Sequence, residues 1–247
     1  MEKYDQILEE LRNTLNLIES ELKELHLDYF LLHNNRYKSD LQIVEHYYKK
    51  GEILEIGSFP CHLTYCLTKL GYPVIGIDIN PERIKNFIEK HNLIVKKCDI
   101  EKERIPFDNN RFDFVIFNEV FEHLRIDPIS TLKEINRVMK PAGIMVLSTP
   151  NLYSLRNIVL FNIGRGFNNA YREFEKLHTI GHMGHIREYS TREIKQFLEN
   201  TGFEIVEVKY KVYNRTNKKI IGPILDLCYF IISKWRPFQI IISKKRI

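Results

Sequence analysis

Cysteine, glycine and proline are scarce in this 247-residue chain, and each scarcity excludes a class of protein. The four cysteines have no paired spacing, which argues against a disulfide framework or a zinc ribbon. With 11 glycines and 9 prolines, the composition excludes collagen-like and Gly/Ser low-complexity sequence. An aromatic content of 12% argues against disorder, and the chain is long enough to bury a full hydrophobic core.

The chain also lacks the marks of export and of membrane insertion. Its first residues, MEKYDQILEE, are acidic, whereas a signal peptide begins with a basic and then an apolar region. No apolar run approaches the roughly 20 residues needed to span a bilayer. We therefore expect a cytoplasmic protein.

The last forty residues are strongly basic. Ten of the 37 lysines and arginines follow Val208, but only one of the 32 acidic residues, Asp226, does so. Within this region the apolar stretch 220–233 is flanked by lysines and followed by Trp235 and Arg236. Such a stretch is typical either of a helix that covers the sheet or of one that lies in the headgroup region of a membrane, where it would meet a lipid-linked substrate.

The same cations could attract nucleic acid. However, the sequence contains no RNA-binding module and no pattern of interleaved aromatic and basic residues. We therefore do not expect nucleic acid as a partner, and we expect a protein that is cytoplasmic or peripheral to the membrane.

Near the N-terminus, apolar residues recur at alternating steps of four and three, which predicts one helix over residues 2–27. The seam consists of Tyr4, Leu8, Leu11, Leu15, Ile18, Leu22 and Leu25. Three heptads are the minimum for a coiled coil, so the seam indicates either a homodimer or a helix that lies on its own domain. A second helix, broken near residues 33–35, is expected up to about residue 48, and we assign residues 1–50 to an N-terminal helical extension.

From Gly51 onward, short apolar runs alternate with amphipathic segments, which predicts a doubly wound α/β fold with a mostly parallel sheet. The predicted strands are 52–56, 73–78, 93–97, 113–117, 143–148, 203–212 and 238–244. The predicted helices are 61–70, 81–91, 128–139 and one that starts at Ser190, where Ser190 and Glu193 form a capping box. We assign residues 51–247 to this domain, with insertions at 151–189 and 213–236 that are long enough to shape a substrate site.

Polar residues follow the predicted strands at the edge where open parallel sheets bind ligands. Asp78 ends the second strand 21 residues after Gly57, where an acid can accept hydrogen bonds from vicinal ribose hydroxyls. Asp99, after the third strand, suits an exocyclic amine. Because the first turn has neither of the phosphate-binding glycine motifs, the pattern favours an adenosine-containing ligand over a phosphate-rich one.

Five motifs in order along the chain resemble those of the class I S-adenosylmethionine-dependent methyltransferases. They are ILEIGSFPCHLT (53–64), VIGIDIN (74–80), KCDI (97–100), FDFVIFNEVFEHL (112–124) and LKEINRVMKPAGIMVLSTPN (132–151). The segment GHIREYSTREIKQFLENTGF (184–203) is similar to the later part of the same superfamily. The resemblance implies a Rossmann-like fold whose seven-stranded sheet has its last strand antiparallel, a methyltransferase activity, and S-adenosylmethionine as cofactor.

The resemblance also implies which residues bind the cofactor. Residues of the first loop would face its methionine end, those of the second would hold the ribose, those of the third would frame the adenine, and those of the fourth would lie near the methyl group. In that order they are Glu55, Gly57, Ser58 and Phe59; Asp78 and Ile79; Asp99 and Ile100; and Asn118 and Glu119.

The first loop departs from the superfamily pattern acid-x-Gly-x-Gly-x-Gly. Phe59 and Cys61 replace the second and third glycines, at positions where the backbone approaches the ligand closely. Two alternatives to a small-molecule methyltransferase therefore stay open. One is a non-catalytic cofactor-binding module with a degenerate loop, and the other is an RNA methyltransferase that uses the basic tail.

A hydroxyl acceptor needs a base, and histidine suits that role near neutral pH. His185, just before the capped helix, and His123, in NEVFEHL, are the candidate catalytic residues. Arg187 and Tyr189 are the candidates for substrate binding. Together these features predict O-methylation of a saccharide or another small metabolite, either free or lipid-linked.

Two further features have alternative readings. The spacing of His178, His182 and His185 would suit metal ligands on a helix, but Gly181 and Gly184 argue for a loop, and we assign no metal. Arg36, just ahead of the first strand, is either a surface residue or one that folds over the carboxylate of the cofactor.

Overall fold

The computed structural model describes residues 3–17, 23–179, 184–216 and 219–247. The described residues contain seven strands that form one sheet in the order β3-β2-β1-β4-β5-β7-β6. The strands are β1 Ile53–Ile56, β2 Val74–Asp78, β3 Val95–Lys97, β4 Phe112–Asn118, β5 Met139–Pro150, β6 Phe203–Lys211 and β7 Phe238–Lys245. The pairs β1–β2, β1–β4 and β2–β3 are parallel, and β6–β7 is antiparallel. The predicted Rossmann-like sheet with an antiparallel last strand is confirmed.

Helices and short 3₁₀ turns connect the strands. The helices are α1 Lys3–Asn16, α2 Lys23–Tyr47, α3 His62–Lys69, α4 Lys85–Lys90, α5 Pro128–Val138, α6 Leu155–Asn162, α7 Ala170–Thr179, α8 Thr191–Asn200 and α9 Ile221–Ile231. The 3₁₀ turns are Pro81–Ile84, Phe121–His123 and Ser233–Trp235. Among the described residues, no helix is both long enough and apolar enough to cross a membrane.

The N-terminal helices differ from the sequence-based expectation. Helix α1 ends at Asn16, where Leu17 N donates to Thr14 O, and α2 begins at Lys23, so a single helix over residues 2–27 is wrong. The expected break near residues 33–35 is also wrong, because α2 continues through it. Polar residues there do not end the helix because its buried face continues on both sides of them, with Phe30 and Tyr37 buried.

The chain divides into two compact units. The first comprises Met1–Ile116 and Val138–Ile144, and the second comprises Phe117–Arg137 and Met145–Ile247. The domain boundary near residue 50 and the two insertions stay predictions from the sequence. Helices α6 and α7 lie in the first proposed insertion, and α9 lies in the second.

In the first unit, α1 packs against α2 and α3. Leu11 and Leu15 are fully buried, and Thr14 Oγ1 lies 3.4 Å from the hydroxyl of Tyr65 on α3. Lys38 on α2 binds Asp5 at 2.7 Å. The apolar seam of α1 is thus covered by its own chain, which favours the helix-on-its-own-domain reading and leaves this face unavailable to a second copy. Ile18 and Leu22 of the seam lie outside the described residues.

The second unit shows how local sequence signals set helix ends. Ser190 Oγ accepts a hydrogen bond from Glu193 N and Glu193 Oε2 accepts one from Ser190 N, so the predicted capping box of α8 is confirmed. Asp127 Oδ1 likewise accepts from Ile129 N at 2.9 Å at the start of α5. These caps fix the segments that precede α5 and α8, and both segments carry candidate site residues.

Candidate active site

In the first unit, the carboxyl ends of β1 and β2 lie at the same edge because Ile56 pairs with Ile77. Gly57 follows β1 with a φ of 72°, and its N–H donates to Ile77 O at 2.9 Å. This left-handed conformation is strained for most other residues, which accounts for glycine at this position. The pairing brings the first loop against Asp78, the last residue of β2.

The substituted glycine loop keeps a glycine-like backbone. Cys61, at the third glycine position of the superfamily pattern, has a φ of 64° although it carries a side chain. That side chain is fully buried and faces Ser58. The left-handed conformation of Cys61 therefore costs roughly 1–2 kcal/mol of backbone strain.

Asp78 ties the first loop to the second strand. Its Oδ2 accepts a hydrogen bond from Phe59 N at 3.1 Å, and its Oδ1 accepts one from Asn80 N at 2.9 Å. A carboxylate has about four acceptor sites, so Asp78 retains capacity for two hydroxyl donors.

Phe59 occupies the second glycine position, and its ring contacts one cation and one other ring. The Arg83 guanidinium lies 4.1 Å from the centre of the Phe59 ring, a cation–π contact, and the His26 ring lies 6.3 Å away. These contacts fix the ring beside Asp78.

Glu55 lies inside the first unit. Its Oε2 accepts a hydrogen bond of 2.6 Å from Thr64 Oγ1 on α3. Burial raises the pKa of Glu55 to about 8, with further contributions from the carboxylates of Asp40 and Asp78. The side chain therefore supports the loop from within.

Arg36 is 7% exposed, so the surface reading of this residue is wrong. Its Nη2 donates to the hydroxyl of Tyr29 at 3.2 Å, and its guanidinium lies 5.4 Å from the Tyr37 ring. Tyr37 in turn hydrogen-bonds His62 Nδ1 at 3.3 Å. Burial, with the charge of Arg36 among the lesser causes, holds the pKa of His62 well below its ordinary value, so this part of the unit keeps a neutral imidazole beside a buried cation.

The remaining first-unit candidates are more exposed. Asp99 accepts a hydrogen bond from Glu101 N at 3.2 Å and pairs with Lys102 at 3.1 Å. Ile79 is half exposed, and Ile100 is partly buried. All three follow β2 or β3, at the same edge as Asp78, because Asp78 pairs with Lys97.

In the second unit, Asn118 and Glu119 follow directly from β4. Glu119 adopts a φ of 56°, donates its N–H to Ser148 O at 2.8 Å, and accepts from Ser148 Oγ at 2.9 Å. Both polar atoms of the Asn118 amide are buried and have no hydrogen-bond partner within the described ranges. An unpartnered buried amide is costly, so a ligand that hydrogen-bonds it would be stabilised there.

A group of acids and histidines lies just beyond this point. We call Glu119, Glu122, His123, His185 and Glu188 the acid–histidine cluster. Glu122 is fully buried, and its Oε2 accepts from Thr149 Oγ1 at 2.9 Å. Burial, together with the charge of Glu119, raises the pKa of Glu122.

The two candidate catalytic histidines lie side by side in this cluster. Their ring centres are 5.0 Å apart. His123 Nδ1 lies 3.0 Å from Gly184 O, and His185 Nδ1 lies 3.7 Å from Glu188 Oε1. Burial lowers the pKa of His185, but the neighbouring carboxylates Glu188 and Glu122 raise it by more, so the net shift is upward. The fold thus brings together two residues that are 62 positions apart in the sequence.

A comparison with protein families identifies the fold. A family model described as a methyltransferase domain matches residues 31–208, which is most of the chain. The chain belongs to the methyltransferase-domain family. It is accordingly a member of the class I S-adenosylmethionine-dependent methyltransferase superfamily, and S-adenosylmethionine is its cofactor.

Relatives of this methyltransferase chain include two named ubiquinone biosynthesis O-methyltransferase. The one from Cereibacter sphaeroides is 33% identical over 102 residues, a match that covers 40% of this chain and 41% of that protein. The chain therefore spans about two fifths of the length of that relative. The one from Rickettsia bellii is 28% identical over 195 residues, covering 74% of this chain and 75% of the relative.

A solved structure shows the same methyltransferase fold. It is an S-adenosylmethionine-dependent methyltransferase from Thermotoga maritima with a TM-score of 0.60 and 21% identity. The alignment covers 97% of this chain and all of that one. At this identity, the likeness concerns the fold alone.

The residues of this methyltransferase fit its cofactor. S-adenosylmethionine carries a ribose with two hydroxyls and a methionine end with an ammonium and a carboxylate. Asp78 has acceptor capacity left for the hydroxyls, and buried Arg36 of the same unit carries a positive charge that suits the carboxylate. Asp78 and Arg36 are therefore the residues of the first unit that we expect to hold it.

The two candidates for substrate binding differ from each other in the methyltransferase structure. Tyr189 is 5% exposed, and its ring packs against Phe121 at 4.8 Å and Phe197 at 5.8 Å. Arg187 is exposed, pairs with Glu193, and lies over the Tyr189 ring. Tyr189 thus has the environment of a packing residue, and the substrate role stays a prediction for the exposed Arg187.

The sequence analysis missed three residues of the second unit: Glu122, Glu188 and Asn157. Glu122 stands beside His123 in NEVFEHL, so its position next to a candidate base was a usable signal. Glu188 accepts a hydrogen bond of 2.7 Å from Asn157 Nδ2, a contact across 31 positions that no local pattern announces. Of the histidines with metal-like spacing, His182 lies outside the described residues, and His185 joins the acid–histidine cluster.

Proposed function

We propose that this chain transfers a methyl group to a hydroxyl oxygen of a small acceptor, and that a lipid carries the acceptor. The observation that supports the first part is the acid–histidine cluster, which brings two imidazoles and a buried carboxylate together in the second unit. The names of the Cereibacter and Rickettsia relatives, which are ubiquinone biosynthesis O-methyltransferases, support an oxygen as the methylated atom.

The first unit carries the cofactor side of the proposed reaction. When bound, S-adenosylmethionine supplies a methyl group activated by its attachment to a positively charged sulfur. Asp78 would hydrogen-bond the ribose, and the backbone of Phe59, which donates to Asp78, would keep the loop in position beside it. Buried Arg36, held by Tyr29, supplies a positive charge for a carboxylate.

The second unit carries the acceptor side. A hydroxyl that becomes an ether must lose its proton, and a group that takes up or stabilises that proton speeds such steps by about 10²–10⁴-fold. His185 and His123 are the residues of this unit placed for that role, with Glu188 orienting His185. Arg187, the exposed neighbour of His185, is the residue that we propose to contact the acceptor.

The exposed surface of the proposed insertions supports a lipid-carried acceptor. Helix α9 has no buried residue, and Phe230 at its C-terminal end is 83% exposed. The large apolar residues exposed on or beside this helix are Ile220, Ile221, Ile224, Leu227, Phe230 and Ile231. Contiguous exposed apolar surface marks an interaction site, and one flanked by cations suits the anionic headgroup region of a bilayer.

Cations lie on both sides of this helix. Lys219 precedes it, and Lys234 and Arg236 follow it. Lys234 also lines an open groove of about 960 Å³, together with Arg192, Lys195 and the acid Glu199. The excess of positive charge on this surface complements an anionic lipid headgroup.

A methyl-transfer assay with isolated lipids tests the proposal. Radiolabel from S-adenosylmethionine should appear in lipid-extractable material, in an alkali-stable ether, when the protein is given lipid extract. Asp78→Asn should raise the dissociation constant for the cofactor by at least about tenfold, since it removes one acceptor oxygen, whereas exposed Asp108→Asn in the same unit should not. Cofactor binding without transfer to any hydroxyl acceptor, in lipid or in aqueous extract, would contradict O-methylation.

A vesicle assay tests the lipid part separately. The protein should sediment with vesicles that contain phosphatidylglycerol and less with pure phosphatidylcholine. Replacing Leu227 and Phe230 together with serine should weaken this binding by more than tenfold, because burying each side chain is worth about 1.5–3 kcal/mol. Ile94→Ser, which changes an exposed apolar residue of the first unit, is the matched control. Unchanged binding of the double variant, or transfer to water-soluble saccharides only, would contradict a lipid-carried acceptor.

A further inference from the structure

Three side chains of the acid–histidine cluster have the composition and the spacing of a metal site. Glu122, His123 and His185 each offer one ligand atom, and these atoms all lie within 4.8 Å of one another. Zinc, for example, binds histidine nitrogen and carboxylate oxygen at about 2.0–2.2 Å, so modest side-chain movement would bring all three onto one ion. They come from two separate segments, the 3₁₀ turn Phe121–His123 and the segment before α8, which the fold brings together.

An independent observation points to a missing ligand at the same place. Glu122 Oε1 is buried and accepts no hydrogen bond from any described residue, although Oε2 of the same carboxylate does. His185 Nε2 lies 3.9 Å from Oε1, which is beyond hydrogen-bond distance. A buried carboxylate oxygen left in this state is costly, and a bound cation would satisfy it.

Neighbouring groups orient both imidazoles, as they do for the histidine ligands of known metal sites. The ring nitrogen of a ligating histidine that does not bind the metal usually donates to a carbonyl or a carboxylate. His123 Nδ1 lies 3.0 Å from Gly184 O, and His185 Nδ1 faces Glu188. Glu188 is itself fixed by Asn157 Nδ2 at 2.7 Å. In both histidines, therefore, Nε2 is the atom left to carry the lone pair.

We infer that the acid–histidine cluster binds one divalent metal ion through Glu122, His123 and His185. Two imidazole nitrogens and one carboxylate oxygen favour Mn²⁺, Fe²⁺, Co²⁺ or Zn²⁺ over Ca²⁺, which prefers all-oxygen sites. Three protein ligands leave coordination positions open, as in catalytic metal sites. This metal site differs from the sequence-based expectation of no metal. Glu122 and His123 become fellow ligands of His185 only because the fold brings the two segments together.

The role of the ion follows from these open positions. An acceptor hydroxyl bound to the ion would have a lowered pKa, in the way that zinc lowers the pKa of its bound water. This role rests on the proposed function, whereas the metal binding itself does not. With the ion bound, the two histidines would act as ligands and not as the base, the hydroxyl proton would pass to water, and the ion would stabilise the oxygen that remains.

Titration with metal alone tests the inference. The full-length protein, treated with EDTA and dialysed, is titrated with MnCl₂ and with ZnCl₂ by calorimetry, and free Mn²⁺ is followed by electron paramagnetic resonance. We expect one ion per chain. Glu122→Gln and His185→Gln should each weaken binding by about 10–100-fold or more. His178→Gln, an exposed histidine on α7, is the matched control and should bind as the parent does.

Clear outcomes would overturn the inference. Parental affinity in both Glu122→Gln and His185→Gln, with thermal unfolding in EDTA showing that they are folded, would place the ion elsewhere. No binding of Mn²⁺ or Zn²⁺ by the parent protein would remove the site altogether. Methyl transfer that persists at the full rate in EDTA would overturn the activating role of the ion and would leave the proposed function intact, so the two failures are distinguishable.

Discussion

The two candidate sites differ in how the buried polar groups around them are satisfied. Around the glycine loop of the first unit, the chain itself supplies partners. Asp78 accepts two backbone hydrogen bonds, Glu55 accepts one from Thr64, and His62 hydrogen-bonds both Tyr37 and His26. After β4 in the second unit, the Asn118 amide and Glu122 Oε1 are buried without a hydrogen-bond partner among the described residues.

This difference indicates which candidate site is preformed and which has buried polar groups that the described residues do not satisfy. A loop whose groups already have partners keeps its shape before the ligand arrives, so binding does not have to order it. Buried groups without partners cost about 1–3 kcal/mol each, and a ligand or an ion that satisfies them removes this cost. The contrast therefore agrees with the proposed cofactor site in the first unit and the proposed acceptor site in the second.

The largest expected effect is on kcat, and it distinguishes the proposed role of the second unit from that of the first. His185→Ala should lower kcat by about 10²–10⁴-fold, because it removes the group that faces both Glu122 and Glu188. The dissociation constant for S-adenosylmethionine, measured by calorimetry, should stay within about threefold of the parent, a change of less than 1 kcal/mol. His178→Ala is the control. A His185→Ala variant that lost cofactor affinity and kept its kcat would break the comparison.

The next effect concerns the helix that covers the first unit. Leu11→Ala should lower the free energy of unfolding by about 2–5 kcal/mol, because Leu11 is fully buried against its own chain. Leu17→Ala, at a side chain that is 72% exposed, should change it by less than about 0.5 kcal/mol. Urea unfolding at two protein concentrations measures both. A loss that depends on concentration would restore the dimer reading of the seam.

A third effect tests the buried acid of the first unit through pH. The pKa of Glu55 rises from 4.5 to about 8 on folding, so the folded state holds an extra proton between these values. Stability from this group is therefore fully present below pH 4.5 and is lost as the pH rises to about 8, at up to about 1.4 kcal/mol per unit. The charged or titratable groups that face it are Arg36, Asp40, Cys61, Cys66 and Asp78.

Glu55→Gln should remove this part of the pH dependence. The variant should resemble the parent at pH 5 and gain up to a few kcal/mol relative to it at pH 9, because glutamine stays neutral and still accepts from Thr64. Urea unfolding at the two pH values measures the free energy of unfolding of parent and variant. The contributions of the other titrating groups cancel in the difference between the two proteins. If the free energy of unfolding changed with pH equally in parent and variant, Glu55 would not be the buried acid that causes this pH dependence.

The smallest effect tests the local support of the second unit. Ser190→Ala removes the cap of α8 and should cost about 0.5–2 kcal/mol, whereas Ser190→Gly should cost only a few tenths. Thermal unfolding monitored by circular dichroism compares them. If neither variant destabilises the protein, the capping box does not fix the segment that carries His185.

Local patterns in the sequence were sufficient for most of the fold. Short apolar runs located all seven strands, and amphipathic and capping patterns located α3, α4, α5 and α8, since each pattern reflects which side chains a strand or a helix buries. No helix was predicted at α6 or α7, which lie in the first proposed insertion. The patterns failed for α1 and α2, where a heptad pattern suggested one helix. The apolar seam of α1 packs against α2 and α3. A heptad pattern alone does not specify whether such a seam packs against its own chain or against a second copy.

The positions of the candidate cofactor residues were also accessible from the sequence, because they follow strand ends whose order the motifs fix. Asp78 is such a residue, and its position relative to Gly57 follows from strand register. The acid–histidine cluster was only half accessible. His123 and His185 stood out as histidines, but their meeting depends on the segment before α8 returning to Glu122, where Ile186 N donates to Glu122 O at 2.9 Å.

The sequence by itself determined the α/β architecture, the membership in the methyltransferase superfamily and the basic, apolar C-terminal region. These properties depend on residue type and short-range spacing, which a linear chain records directly. Only the tertiary structure decided that Arg36 is buried and that the α1 seam is occupied by its own chain. It also decided that Glu122 Oε1 lies beside two histidines without a hydrogen-bond partner among the described residues. Burial and long-range pairing arise when distant segments exclude water together, and no local pattern encodes that event.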